Sequence, residues 1–289
     1  YLICRFFEKV VLSEAINDFY ICSLSCRSII YKGLFLAKDL ANFYPDLQDE
    51  RFTSSFAIFH QRFSTNTFPT WRLAQPFRVL AHNGEINTLQ GNDNWMKAHE
   101  TRMSCPAFAD HIEDIKPVIQ AQSSDSAALD AVAELMVRAG RDLPLVKSML
   151  IPEAWSKRDL PQDLRNFYSH CNSVMEPWDG PAAICAFGGH WVLAGMDRNG
   201  LRPLRYSISK DGLLVVGSEA GMVKTDETKL VEKGRLGPGE MIAVMLPEGR
   251  LYKDRELKEK LAARHPYEKW VANITELDSP LQKATATGP

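Results

Sequence analysis

Trp178-Asp179-Gly180-Pro181-Ala182-Ala183-Ile184-Cys185-Ala186-Phe187-Gly188-Gly189-His190-Trp191-Val192-Leu193-Ala194-Gly195-Met196 marks a change in the character of the chain. Two apolar runs, residues 182–187 and 191–196, are strand-sized and separated by a Gly-Gly turn signal, which together read as a β-hairpin. The pattern continues downstream. Residues 204–209, 213–218 and 241–246 are further short strands, punctuated by Asn199-Gly200, Asp211-Gly212 and Pro238-Gly239. Strands spaced in this way stack as antiparallel sheets.

Upstream the periods are mixed. Residues 1–13 read as an amphipathic helix, and residues 19–24 with 28–31 as a strand or hairpin closed by Lys32-Gly33. Residues 56–63 form a second strand candidate, ended by the polar stretch 64–67 and Pro69. Residues 77–82 form a third, ended by Asn83-Gly84. Helices are predicted at 94–103 and at 126–138, where Leu129, Val132, Leu135 and Met136 share one face. A charged helix spans 254–264, and the chain beyond His265-Pro266 reads as a linker. Strands with helices laid outside them predict an α+β layered domain over residues 1–253, with 254–289 as a helix and linker towards another domain.

Composition narrows the function classes. A chain of 289 residues with 45% hydrophobic content reads as a soluble globular protein. Its longest apolar runs, such as 181–187, fall far short of the roughly 20 residues a bilayer span requires, so no membrane partner is expected. The 34 basic and 36 acidic residues nearly balance without long blocks of one sign, which argues against a nucleic-acid partner. Cys4, Cys22, Cys26, Cys105, Cys171 and Cys185 are scattered, with no Cys-x-x-Cys pair and no signal-peptide pattern, and read as free thiols of a reducing cytoplasm. Cys22 and Cys26 lie four apart but lack further ligands at suitable spacing, so no metal site is assigned. The first residue is Tyr1, and residues 2–7 resemble the middle of a helix, so the chain is expected to have lost its true beginning.

Three clusters join reactive groups to strand ends or helix starts: His60 to Thr67, His82 to Thr88, and Ser123 to Ser126. Arg62, at a strand end, offers a planar fork that matches a carboxylate, such as that of an amino acid, or else a structural ion pair. Asn83-Gly84 offers a side-chain amide and a glycine amide that can form an oxyanion hole, or else only a hairpin turn. Asp125 precedes an amphipathic helix and is either its N-cap or a carboxylate able to hold an ammonium group.

The wording and order of these clusters resemble the class II glutamine amidotransferases, in which H-x-R-[FY]-S-T, H-N-G and S-D-[ST] follow one another. The longer strings are similar to the glutamate synthase branch: Arg62-Phe63-Ser64-Thr65-Asn66-Thr67-Phe68-Pro69-Thr70-Trp71, His82-Asn83-Gly84-Glu85-Ile86-Asn87-Thr88-Leu89 and Ser124-Asp125-Ser126-Ala127-Ala128-Leu129-Asp130. Ile151-Pro152-Glu153-Ala154-Trp155, Met175-Glu176-Pro177-Trp178-Asp179-Gly180-Pro181-Ala182-Ala183, Asp197-Arg198-Asn199-Gly200-Leu201-Arg202-Pro203 and Gly234-Arg235-Leu236-Gly237-Pro238-Gly239-Glu240-Met241 extend the match.

The resemblance implies a four-layer αββα fold of the N-terminal-nucleophile hydrolase type, and L-glutamine as the ligand. It implies that Arg62, helped by Thr65, binds the α-carboxylate, that Asp125 holds the α-ammonium, and that Asn83 and Gly84 form the oxyanion hole. An N-terminal cysteine serves the family as nucleophile, with its own amine as proton shuttle. In the complete glutamate synthase the released ammonia reaches a second site, where FMN and an iron-sulfur cluster supply electrons to convert 2-oxoglutarate to glutamate. No cofactor is expected in this segment. The expected partners are the remaining domains of the large subunit and a small electron-delivering subunit, in a cytoplasm or a plastid. The chain departs from the pattern in having no cysteine at residue 1, and the neighbours of Cys4 read as helix rather than as the family's Cys-Gly start. It is therefore expected to be inactive alone as a glutaminase. A noncatalytic glutamine-binding remnant and an amidotransferase domain serving another acceptor are the alternatives. Residues 175–178 and 197–203 read as turn and packing residues, and His60 and His82 as histidines bonded to backbone.

Overall fold

The computed structural model describes residues 1–16, 19–63 and 69–274. Eight helices lie at α1 Leu2–Ser13, α2 Leu40–Phe43, α3 Leu89–Glu100, α4 Asp125–Arg138, α5 Leu143–Leu150, α6 Gln162–Val174, α7 Asp254–Ala262 and α8 Tyr267–Val271 among these residues. The strands are β1 Leu80–Gly84, β2 Ala182–Gly188, β3 Trp191–Met196, β4 Arg205–Ser209, β5 Leu214–Gly217, β6 Leu230–Arg235, β7 Met241–Met245 and β8 Arg250–Tyr252. They form a five-stranded sheet in the order β1-β2-β3-β7-β8 and a three-stranded sheet in the order β5-β4-β6, with every pairing antiparallel.

The alternation of side chains along a strand divides the interior into two cores. Ala182, Ile184 and Ala186 of β2, Trp191 and Leu193 of β3, and Met241 and Ala243 of β7 face the helices and join Leu129, Val132, Val146, Leu150, Phe167 and Leu257. Their neighbours Ala183, Ala194, Met196 and Ile242 face the other way and meet Leu204 and Leu236, with Tyr206, Leu214 and Val216 of the small sheet against them. The central strands are apolar on both faces because each face is covered, which is why they read as continuous runs in the sequence. Helices, large sheet and small sheet are thus stacked in that order.

Two carboxylates lock the layers. Asp130 on α4 accepts the backbone N–H groups of Arg78 (3.2 Å), Val79 and Leu80 (both 2.9 Å), fixing the entry to β1. Asp197 accepts Ala182 N–H (2.8 Å) through one oxygen and Asn199 (2.8 Å) and Gly200 (3.0 Å) N–H through the other, tying the start of β2 to the end of β3. Residues 197–203 therefore form a turn, as their sequence suggests.

Several predicted elements differ. Residues 19–31 pair with no strand; Ile21 is held instead by the Arg78 guanidinium, which donates to its carbonyl at 2.8 Å, and Ile30 N–H donates to Ser23 Oγ at 3.1 Å. Residues 56–61, predicted as part of a strand, alternate in burial, with 56, 58 and 60 half-buried and 57, 59 and 61 exposed, but join no ladder. Asn83 and Gly84 are the last residues of β1, paired with Ala183 and Ala182, and not a turn. Helix α3 begins at Leu89, earlier than predicted. Residues read as linker include α8, whose Tyr267 is buried against Phe167 of α6. Helix α1 buries Arg5 and Glu8, which join Arg78 and Glu134 in an ion-pair network, and exposes Ile3, Phe6, Phe7 and Val10.

Candidate functional site

The end of β1 gathers the residues singled out by sequence. Gln75 grips the strand at His82, accepting its N–H through Oε1 at 2.6 Å and donating to its carbonyl through Nε2 at 2.9 Å. Beyond it the chain turns closely against residues 179–181, with Glu85 N–H donating to Pro181 O and Asn87 N–H to Asp179 O, both at 2.8 Å. Gly84 makes this approach possible. Its φ is +148° and an added Cβ would lie 1.8 Å from Pro181 O, so no other residue fits without moving the backbone.

Asn83 projects between two partners. Its Oδ1 lies 2.8 Å from His60 Nε2, and its Nδ2 donates to Ser218 Oγ at 3.0 Å. The other nitrogen of His60, Nδ1, lies 2.8 Å from the Arg62 carbonyl, so the segment carrying Arg62 is drawn to Asn83 through this ring. Arg62 is exposed at its side chain. Thr65 lies outside the described residues.

Asp125 opens α4 beside the same strand end. One carboxylate oxygen accepts Ile86 N–H at 2.8 Å, and the Ser126 hydroxyl donates to the other at 3.3 Å. The helix cap is Ser124, whose Oγ accepts Ala127 N–H at 3.2 Å. The N-cap reading of Asp125 is thereby corrected: its side chain reaches across to the chain following β1 and leaves capping to its neighbour. Ser126 Oγ also lies 2.7 Å from Nδ1 of buried His82. Nε2 of His82 sits near Pro181 without a bond of good geometry. Burial pulls the imidazolium of His82 down from its ordinary value, against the opposing pull of the Asp125 carboxylate; the positive charges of His60 and Arg202 act in the same direction as burial.

Asn83, Gly84 and Asp125 are therefore gathered at one strand end, with Arg62 attached through His60. Sequence reasoning missed Ser218, an ordinary serine at the end of β5 with nothing local to mark it. It also took His60 for a purely backbone-bonded histidine; that describes Nδ1 but not Nε2. Burial holds three thiols in their protonated form, pushing Cys185 up to about 11, Cys171 up to about 12, and Cys4 above its ordinary value. Among the described residues no group of three or more His, Cys, Asp or Glu side chains is arranged to hold a metal. No helix among them is long and apolar enough to cross a membrane.

The sequence profile of the class-II glutamine amidotransferases matches residues 1–270. The chain belongs to that family. The chain is 64% identical, over its whole length, to part of the large chain of NADPH glutamate synthase of Azospirillum brasilense, of which it spans 19%. It is 47% identical over 91% of its length to ferredoxin-dependent glutamate synthase 2 of Synechocystis and 45% identical over 94% to the NADPH glutamate synthase large chain of Bacillus subtilis, spanning 17% and 18% of those proteins. The chain thus corresponds to a small part of each of these curated relatives. Among solved structures, the glutamine phosphoribosylpyrophosphate amidotransferase of B. subtilis matches 60% of this chain and 28% of its own at 20% identity with a TM-score of 0.29, too distant to bear on the details. The two stacked antiparallel sheets with helices against the larger one are the α+β layering that the sequence predicts.

Proposed function

We propose that this chain is the glutamine-binding and glutaminase portion of a glutamate synthase. The observation that carries the reading is the meeting of Asn83, Gly84 and Asp125 at the end of β1, with the Arg62 segment bonded to Asn83 through His60. Arg62 and Thr65 take the α-carboxylate of L-glutamine, and Asp125 takes its α-ammonium. A cysteine thiolate from the N-terminal side of this segment attacks the side-chain amide carbon, and its amine carries the proton to the leaving ammonia. Asn83 Nδ2 and the Gly84 N–H stabilise the oxyanion formed as the carbonyl π bond opens. Water then cleaves the γ-glutamyl thioester, releasing glutamate and restoring the thiol.

The ammonia is used in the reductive conversion of 2-oxoglutarate to glutamate elsewhere in the larger protein. Among the described residues no group of three or more His, Cys, Asp or Glu side chains is arranged to hold a metal, and on this reading the iron-sulfur cluster and FMN lie in other parts of the larger protein. A small electron-delivering subunit completes the assembly, in the cytoplasm or, in plants and algae, the plastid.

The test uses the polypeptide extended to carry its N-terminal cysteine. Asn83→Ala lowers glutaminase kcat by about 10²-fold or more with a small change in KM. Arg62→Ala raises KM by an amount matching loss of a charge-assisted bond, about 1.5–3 kcal/mol. Saturable glutamine binding with no turnover in the unaltered extended polypeptide would instead favour a noncatalytic remnant.

A further inference from the structure

A carboxamide is nearly symmetric in shape, yet only its NH₂ end can stabilise an oxyanion; its oxygen would repel one. The last torsion of an asparagine is broad and roughly two-fold, so an Asn at the end of an edge strand has no intrinsic reason to present the correct end. Asn83 is such a residue, on the outermost strand of the large sheet as described. Its amide is nevertheless gripped at both ends by groups distant in sequence, His60 Nε2 at 2.8 Å and Ser218 Oγ at 3.0 Å.

We propose that His60 and Ser218 are positioning residues that clamp the Asn83 carboxamide and aim its remaining N–H at the oxyanion. The inference rests on the reading of Asn83 as an oxyanion donor. His60 is itself pinned, since Nδ1 faces the Arg62 carbonyl at 2.8 Å and a carbonyl only accepts, so that nitrogen carries a proton. With a second proton on Nε2, the ring donates to Asn83 Oδ1 while Nδ2 donates to Ser218. With a bare Nε2, the amide turns about its last bond, gives one N–H to the ring and accepts the Ser218 hydroxyl on Oδ1. In both settings the carboxamide is bonded at both ends, but only the first, which is the arrangement observed, keeps Nδ2 on the Ser218 side with its remaining N–H free for the oxyanion. The clamp also couples two parts of the site, because the ring that holds Asn83 is the one fixed to the backbone of Arg62. Ser218 brings the small sheet into the same contact, from the residue directly after β5.

The test is steady-state glutaminase kinetics in the polypeptide extended to carry its N-terminal cysteine, with thermal melts alongside. His60→Ala and Ser218→Ala each lower kcat by about 10- to 100-fold, the range expected when a catalytic group is misplaced rather than removed, and leave KM for glutamine within about twofold. Ser218→Thr, which keeps the hydroxyl, recovers most of the lost kcat. On an Asn83→Ala background, His60→Ala produces no further loss, because the group it positions is gone. Should His60→Ala fail to fold, Ser218→Ala and its Thr rescue decide the matter. Unchanged kcat in both alanine variants while Asn83→Ala is impaired overturns the clamp and leaves the oxyanion reading standing. So does a full additional loss on the Asn83→Ala background. Unchanged kcat in Asn83→Ala itself overturns both.

Discussion

At Gly84 a single methyl group meets the Pro181 carbonyl at 1.8 Å. Gly84→Ala must therefore push β1 away from residues 179–181, and the expected outcome is a lower Tm together with loss of glutaminase turnover, checked by melts and kinetics on the extended polypeptide. A surviving kcat with an unchanged Tm would show that the methyl group is accommodated without displacing β1 from residues 179–181. Lys147 is a different kind of residue. It is buried, donates to Gly239 O at 3.1 Å, and has Lys258 as a like-charged neighbour; burial first and that neighbour second pull it down to about 7 from 10.5. The unfolded chain therefore binds more protons between those values, so the Lys147 contribution to stability is full above about 10.5 and is lost as pH falls to about 7. Lys147→Met leaves Gly239 O bonded to Lys258 at 3.2 Å and should hold or raise Tm at neutral pH while flattening its rise above pH 7. A marked fall in Tm would contradict this. At this scale the sequence reveals residues whose chemistry is unusual in place, such as Asn-Gly after an apolar run or Ser-Asp before a helix. It conceals Ser218, because serines at strand ends are common and its partner lies 135 positions away.

Among the elements, α4 carries two separable duties in adjacent residues. Ser124 caps the helix, and Ser124→Ala should cost about 1 kcal/mol in a denaturant melt with little effect on KM. Asp125→Asn keeps an oxygen for Ile86 N–H, so it should leave Tm nearly unchanged and raise KM for glutamine. Equal effects of the two on KM would argue against a ligand role for Asp125. Strands bounded by glycine turns were readable, and β3 matches its predicted span of 191–196. The ladders were not, because alternation at 56–61 reports which side faces the protein and says nothing about whether a neighbouring strand is present to bond. Helix α5 escaped notice for another reason: it has only eight residues, seven of them buried, and its Lys147 and Ser148 are buried with the apolar ones, so its polar residues mark no solvent face. Strand β8, of three residues, is too short to carry a pattern.

For the molecule as a whole, the large sheet holds the site at one end and is covered by helices on one face and by the small sheet on the other. The layering was legible from the spacing of the short strands and the glycine turns between them. The clustering of Arg62, Asn83, Gly84 and Asp125 rested on resemblance, since nothing local in the sequence says that β1, the start of α4 and residues 60–62 share an end. The most direct test is an ¹H–¹⁵N titration of this chain with L-glutamine, with D-glutamine as control. The predicted result is saturable, L-specific shifts at the amides of Asn83, Gly84 and Ile86 that vanish in Arg62→Ala and Asp125→Asn. Shifts confined to other parts of the protein, or shifts at those amides that persist in both variants, would contradict a single amino-acid pocket at the end of β1.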